Sequence, residues 1–296
     1  MGTPDAHTQL VGLIGWPVGH SRSPSMHNAA FAELGLNWAY LPLAVEPERV
    51  GDALRGLRAL GLRGANVTVP HKQEVMRFLD ELSPVAAAIG AVNTIVVAED
   101  GRLLGENTDA AGFAADLAAH GVKVGGRECV VLGAGGSARS VVWALAAERA
   151  ARISLVYRTR TRAEELVAAL QPHCAEVPLA LCHQTEFADA ELAEAALVVN
   201  CTPIGMTPHV DASPWEPPAG LPPGIVVYDL VYSPLRTRLL ELAEAAGACA
   251  IGGIGMLVHQ GALTFTLWSG QAAPLQVMRD AALKIAAGDS RKEGTE

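Results

Sequence analysis

Two stretches of the chain carry residues whose types and order can do chemistry. The first is Gly64-Ala65-Asn66-Val67-Thr68-Val69-Pro70-His71-Lys72. Side chains alternate along a strand, so Asn66 and Thr68 share one face while Val67 and Val69 take the other. Pro70 ends the ladder, and Lys72 falls in the opening turn of a following helix, where the dipole disfavours a cation. Two polar side chains on a short apolar strand, followed by an ill-placed lysine, suit a proton-transfer site; a solvated surface lysine is the plain alternative. A carboxylate able to orient that lysine stands in Glu106-Asn107-Thr108-Asp109. Asp109 is equally placed to cap a helix beginning near Ala110, and spacing leaves both roles open.

The second stretch is Glu128–Ser140. Val130, Val131 and Leu132 read as a short buried strand, and Ala138, Val141, Val142 and Leu145 recur at helical spacing. Between them lie Gly133, Ala134, Gly135, Gly136 and Ser137, a G-x-G-G-x-A pattern that ends on Ala138. A strand turning through glycines into a helix aims unpaired N–H groups and the positive helix end at one spot, where a pyrophosphate fits. Tight strand–helix junctions also use glycine without binding anything, so the pattern alone leaves both readings open. Ile153–Tyr157 then reads as the second strand of a β-α-β unit. An acid closing such a strand favours NAD, whereas arginines accommodate the extra phosphate of NADP. The run here is Tyr157-Arg158-Thr159-Arg160-Thr161-Arg162, three arginines and no acid, which points to NADP.

Other elements must position these groups. Gln9–Trp16 is short and apolar, as an interior parallel strand is. It leads to Ser21-Arg22-Ser23-Pro24, where Ser23 caps a helix with Pro24 at its first position. Two hydroxyls at a helix start also make a carboxylate cradle, the functional alternative for Ser21 and Ser23. Trp38–Val45 is a strand near a sheet edge because of Pro42, and Pro47 opens a helix to about Leu60. Ser83-Pro84 starts a short helix, and Asp100-Gly101 turns a hairpin between 93–98 and 102–105. Further short strands are expected at Leu197–Asn200, Ile225–Asp229 and Cys249–Ile251. Thr207–Gly224 is a proline-rich excursion, Ser233-Pro234 caps a helix to about Ala246, and two helices close the chain before a polar tail after Gly288.

With 296 residues, half of them hydrophobic and 18% charged, the chain has material for two cores. A formal net charge of −9 argues against nucleic acid as a general partner. The N-terminus shows no secretory pattern, and Ala6 stands where a myristoylation signal needs Ser or Thr. Ala245–Met278 carries no charged side chain, yet its glycines, His259, Gln260 and Pro274 suit a buried protein segment rather than a membrane span. Five scattered cysteines without a secretory signal suit reduced thiols in a cytoplasm. His173-Cys174 and Cys182-His183 match no usual zinc spacing, so no metal is expected.

In combination, these motifs resemble the shikimate dehydrogenase family. The resemblance rests on Ser21-Arg22-Ser23-Pro24, Asn66–Lys72, Asn93, Asn107-Thr108-Asp109 and Gly133–Arg139, and continues through 200–206, Asp229–Pro234 and Gly255–Gln260. It implies an α/β fold of two domains separated by a cleft: a substrate-binding, catalytic domain from 1–109 plus 253–296, and a Rossmann NADP-binding domain from 110–252. By the resemblance, Ser21 and Ser23 hold the substrate carboxylate, while Asn66, Thr68, Asn93, Asp109 and Gln260 hold ring hydroxyls beside Tyr232. Lys72 and Asp109 are the catalytic pair. Gly133, Ala134, Gly135, Gly136, Ser137, Ala138, Tyr157, Arg158, Thr159, Arg162, Thr202, Met206, Gly253 and Met256 bind the cofactor. Tyr157 stands where the family usually has Asn, although Arg158, Thr159 and Arg162 remain. The implied reaction is hydride exchange between shikimate and NADP(H), with a monomer or homodimer as the working form. The Ser-x-Ser motif favours shikimate over quinate; a quinate or aminoshikimate paralogue and a non-catalytic binding module are the alternatives.

Overall fold

The computed structural model describes residues 4–174, 176–187, 192, 194–217 and 221–289. The chain divides into two compact units, Met1–Gly112 with Leu257–Glu296, and Phe113–Met256.

The first unit is built from β1 (Gln9–Gly15), α1 (Ser23–Glu33), β2 (Trp38–Ala44), α2 (Val50–Ala59), β3 (Gly64–Val67), β4 (Glu81–Leu82), α3 (Pro84–Ile89), β5 (Thr94–Val97) and β6 (Leu103–Glu106). Its strands form one mixed sheet in the order β2-β1-β3-β5-β6-β4. The edge place of β2 explains how Pro42 fits, since a proline offers the ladder no N–H. Ile14, Leu54, Leu57, Val67, Ile95 and Leu103 form the core between this sheet and α2. Ser83 caps α3 by accepting from Ala86 N–H at 3.1 Å, and Val97 pairs with Leu103 across the hairpin turned by Asp100-Gly101.

The chain passes into the second unit within α4 (Asp109–Ala119). There follow β7 (Glu128–Leu132), α5 (Gly136–Ala147), β8 (Arg152–Tyr157), α6 (Arg160–Leu170), β9 (Leu179–His183), β10 (Ala195–Asn200), β11 (Val226–Asp229), α7 (Arg238–Ala245) and β12 (Cys249–Gly252). All six strands are parallel, in the order β12-β11-β10-β7-β8-β9. Numbered from β7 this is 3-2-1-4-5-6, the doubly wound order of dinucleotide-binding sheets. β10 is buried at every position, the reason its sequence is apolar from Ala195 to Val199 rather than alternating, with the polar Asn200 only at its end. The return to the first unit runs through α8 (Ile254–Ser269), followed by α9 (Leu275–Asp289). Among the described residues no helix is long and apolar enough to cross a membrane.

Some local features differ from the sequence expectation. Helix α1 starts at Ser23 itself, with Arg22 in the cap position and no side-chain cap bond; instead Ser21 Oγ accepts from Ser23 N–H at 3.2 Å. The cap of α7 is Thr237, whose hydroxyl accepts from Leu240 N–H, so Ser233-Pro234 lies in the preceding loop. The segment from Pro47 begins as a 3-10 turn before α2. The tail beyond Asp289, the Met1-Gly2 start and positions 218–220 of the proline-rich excursion lie outside the described residues.

Gly64 on β3 is required by close packing. An added Cβ would stand 2.3 Å from both Ile95 O and Trp268 Nε1, and that indole already donates to the same carbonyl at 3.0 Å. Gly64→Ala is expected to destabilise the protein by about 1–3 kcal/mol, the usual cost of overpacking. The check is the urea midpoint, which should fall at unchanged m-value; an unmoved midpoint would mean that α8 gives way freely.

Candidate active site

Lys72 stands two residues ahead of a 3-10 helix, Glu74–Phe78, rather than in the first turn of an α-helix. Five residues align few peptide dipoles, so the helix end matters less than the residue it faces. Lys72 Nζ donates to Asp109 Oδ2 at 2.6 Å, with the two side chains only 12% and 6% exposed. The lysine loop is held on both sides: Val92 N–H donates to Lys72 O at 2.8 Å, and His71 Nε2 lies 2.7 Å from Val45 O.

Asp109 is the first residue of α4, but the capping bond comes from Asn107, whose Oδ1 accepts from Ala110 N–H at 3.2 Å. The two roles left open for Asp109 are thereby separated. Freed from capping, its carboxylate takes Lys72 on Oδ2 and the buried Asn93 Nδ2 on Oδ1, the latter at 2.8 Å.

Asn66 lies on β3, buried, where its Oδ1 accepts from Tyr40 OH at 2.9 Å and its Nδ2 donates to Asn93 O at 3.1 Å. Gln260, on α8, places Oε1 3.3 Å from Asn93 Nδ2. Lys72, Asp109, Asn93 and Asn66 thus form one hydrogen-bonded cluster within the first unit, with Gln260 Oε1 beside it at the longest of the three approaches to Asn93 Nδ2. Among the described residues no side-chain hydrogen bond joins Ser21, Ser23 or Thr68 to it. Ser23 is buried, Ser21 and Thr68 are half-buried, and Arg22 between the serines is anchored to Ala282 O on α9 at 2.8 Å. Three cluster members went unmarked in the sequence, Tyr40, Thr94 and Thr264, and Thr108 was marked only as part of Asn107-Thr108-Asp109 with no role of its own. Thr264 had a usable signal, since it follows Gln260 by four and so shares its helix face.

In the second unit the glycine turn runs as its spacing predicts, from β7 into α5. Gly133 has φ +102°, in the region that favours glycine, and a Cβ there would lie 2.9 Å from Thr202 Cγ2. Gly135 holds the cap position of the twelve-residue α5 without any side-chain cap bond, and its Cβ position meets nothing within 4 Å. The opening N–H groups of α5 are therefore left for an outside acceptor. The turn lies between the ends of β7 and β10, where strand order reverses and dinucleotides bind.

Thr202 is fixed by a buried chain of polar groups. Its hydroxyl donates to Asn200 Oδ1 at 2.7 Å, and Asn200 Nδ2 donates to Asp229 Oδ1 at 2.8 Å. Thr237 Oγ1 donates to the other Asp229 oxygen at 2.6 Å. Burial pushes the Asp229 carboxyl above the usual carboxylate range, while these donors pull it back.

After β8, Tyr157 is buried edge-on to His183 with ring centres 5.4 Å apart, whereas Arg158, Thr159 and Arg162 are exposed. Arg160 is occupied by Glu164 at 2.8 Å; among the described residues Arg158 and Arg162 have no ion pair. Met206 is exposed, Tyr232 and Gly253 are respectively half-buried and buried, and Met256 is buried. The uncapped helix start, the glycine turn and two arginines without an ion pair on one sheet fit a phosphorylated dinucleotide.

A doubly wound sheet with such a turn, on one chain with a lysine–carboxylate pair, belongs to the class of nicotinamide-dependent dehydrogenases. Residues 13–95 match the family model described as shikimate dehydrogenase substrate binding domain, and 253–283 match that of the shikimate 5'-dehydrogenase C-terminal domain. The shikimate dehydrogenase (NADP(+)) of Symbiobacterium thermophilum is 48% identical over 281 residues, covering 95% of each chain. A crystal structure of a shikimate dehydrogenase in complex with NADP+ superposes with a TM-score of 0.88 at 39% identity, covering 96% of this chain and 98% of that one. The Thermus thermophilus enzyme in complex with NADP(H) and shikimate gives 0.82 at 38% identity, covering 93% and 99%. The chain belongs to the shikimate dehydrogenase family.

Proposed function

We propose that this protein is an NADP-dependent shikimate dehydrogenase, interconverting shikimate and 3-dehydroshikimate in aromatic amino-acid biosynthesis. The observation that carries the reading is the Lys72–Asp109 contact at 2.6 Å, with Asn93 bonded to the second carboxylate oxygen. A lysine so held exchanges the proton of a hydroxyl being oxidised, and the carboxylate fixes its position and balances its charge. When bound, NADP would supply the hydride acceptor for the carbon that bears the hydroxyl. In the oxidation Lys72 acts as the neutral amine: the C–H pair leaves as hydride, the O–H pair becomes the second C=O bond, and the proton passes to the Nζ lone pair, giving the ammonium that Asp109 holds.

Ser21 and Ser23 hold the substrate carboxylate. Asn66, Thr68, Asn93, Asp109 and Gln260 hold its hydroxyls, and Tyr232 lines the same pocket. The cofactor phosphates lie on Gly133–Ala138, with Thr202, Met206, Gly253 and Met256 around the nicotinamide. Arg158, Thr159 and Arg162 take the 2'-phosphate beside Tyr157. All five cysteines are free thiols, which supports a cytoplasmic enzyme, working as a monomer or homodimer.

Steady-state kinetics with shikimate and quinate, each with NADP and NAD, test the reading. Turnover should be fastest with shikimate and NADP; a chain that oxidises only quinate, or neither, overturns it. Arg158→Ala should weaken NADP by about ten- to a hundredfold, the loss of a charge-assisted phosphate contact, while changing NAD by less than about threefold. Equal losses for both cofactors would remove Arg158 from the phosphate site.

A further inference from the structure

The catalytic cluster contains a closed hydrogen-bond ring, two of whose members, Thr94 and Thr264, lie outside the motifs that carry the family resemblance. Thr108 N–H donates to Asn93 Oδ1 at 2.8 Å, which fixes which end of that amide is oxygen. The two Nδ2 hydrogens then point to Asp109 Oδ1 at 2.8 Å and to Thr108 Oγ1 at 2.9 Å. A hydroxyl has one hydrogen, and at 3.1 Å either oxygen of Thr108 and Thr264 can donate; a one-way ring forms when Thr108, accepting from Asn93, gives its hydrogen to Thr264 Oγ1. Thr264 in turn donates to Thr94 Oγ1 at 2.8 Å, and Thr94 returns to Asn93 Oδ1 at 3.1 Å. The 3.2 Å approach of Thr108 Oγ1 to Asn93 Oδ1 is left without a hydrogen in this arrangement. Asn93, Thr94, Thr108 and Thr264 are all buried, so water does not compete for these bonds.

We propose that Thr264, which among the described residues has no hydrogen bond to Lys72 or Asp109, is a positioning residue: its hydroxyl closes the Asn93–Thr108–Thr264–Thr94 ring and so holds Asn93 against the catalytic carboxylate. This rests on the reading of Lys72 and Asp109 as the catalytic pair. Three of the four members come from the segment 93–108, Thr94 on β5 and Asn93 just before it, and the fourth from α8, so the ring ties the helix that carries Gln260 to the segment that carries Asn93. Thr264 also lies 3.3 Å from Asn66 Nδ2 and thereby braces a second site residue. Hydrogen bonds that run in one direction around a buried ring strengthen one another, so each break weakens the whole.

The test is kinetic, with the full-length protein, shikimate and NADP. Thr264→Val keeps the shape and deletes the hydroxyl; kcat should fall by about tenfold while the KM for shikimate stays within about threefold. Thr264→Ser restores the hydroxyl and should return kcat to within about twofold of the wild type. Thr94→Val should cost as much as Thr264→Val, and the double variant no more than about twofold beyond either, because one break already opens the ring. The proposal is overturned by a Thr264→Val enzyme with wild-type kcat, by a change confined to KM, by failure of serine to rescue, or by losses that multiply in the double variant. If Thr264→Val does not fold, Thr264→Ala measured against Thr264→Ser is judged by the same criteria. An inactive wild type, or an active Lys72→Ala, refutes the underlying reading instead; a slow Lys72→Ala beside a fast Thr264→Val refutes the ring alone.

Discussion

Replacing Lys72 by alanine lowers kcat for shikimate oxidation by about a thousandfold, within the range by which a positioned acid or base accelerates a reaction. The substrate KM changes by no more than about threefold, because uniform binding rests on other side chains. The geometry explains the split. Among the described residues Lys72 Nζ makes one side-chain hydrogen bond, to Asp109, whereas the groups assigned to the substrate hydroxyls are held by bonds of their own: Asn66 by Tyr40 and Asn93, and Asn93 by the threonine ring. Removing the ammonium therefore leaves the binding frame standing and takes away the group that moves the proton. Added methylammonium should recover part of the lost rate in the alanine variant, which separates a missing proton carrier from a collapsed pocket. A variant that turns over within about threefold of the wild type would end the assignment.

Much of this site was legible in the sequence, and the reasons are local. Asn66 stands out because polar side chains are costly on a short apolar strand, Lys72 because a cation is ill-placed at an expected helix start, and the glycine turn because helix starts and close approach leave a compositional trace. The strands of the second sheet are visible for the same reason, as apolar runs buried on both faces. Helix starts were less legible. Ser23 and Ser233, each followed by proline, carry a capping signature, yet the bonds go to Ser21 and Thr237 once the loops are folded. Lys72 falls before a 3-10 turn because its loop is set by bonds to Val92 and Val45, which no window around Lys72 contains. The closing member of the threonine ring left only a faint trace: Thr264 is one hydroxyl in an apolar helix, four residues after Gln260, and its partner Asn66 is 198 residues away.

The largest pH effect on stability should come from His27 on α1, which the proposed chemistry does not use. Its ring is fully buried, stacked on Tyr40 at 4.6 Å with 8° between planes and flanked by Trp268 at 5.6 Å. Among the described residues neither ring nitrogen has a hydrogen-bond partner. Burial without a partner favours the neutral form and lowers its pKa from 6.5 to about 3. The unfolded chain therefore binds a proton near pH 6.5 that the folded protein refuses until about pH 3. Stability from this group is complete above the unfolded value and is lost as pH falls, by about 1.4 kcal/mol per unit, or about 2 kcal/mol by pH 5 and about 4 kcal/mol by pH 3, where the folded-state ring begins to protonate as well. His27→Phe removes the titration and two unsatisfied polar atoms while keeping a flat ring, and His27→Leu is the smaller control if the added bulk is not accommodated. Urea unfolding at about pH 7.5 and about pH 5 measures the outcome. The drop in stability between the two should shrink by about 2 kcal/mol in either variant, other carboxylates and histidines cancelling in the comparison. The same drop in wild type and both variants would mean that His27 is protonated in the folded state. Tyr40 links this titration to the site: its ring stacks on His27 while its hydroxyl donates to Asn66 at 2.9 Å, so a charge forced into the aromatic cluster loosens the backing of a substrate-binding side chain.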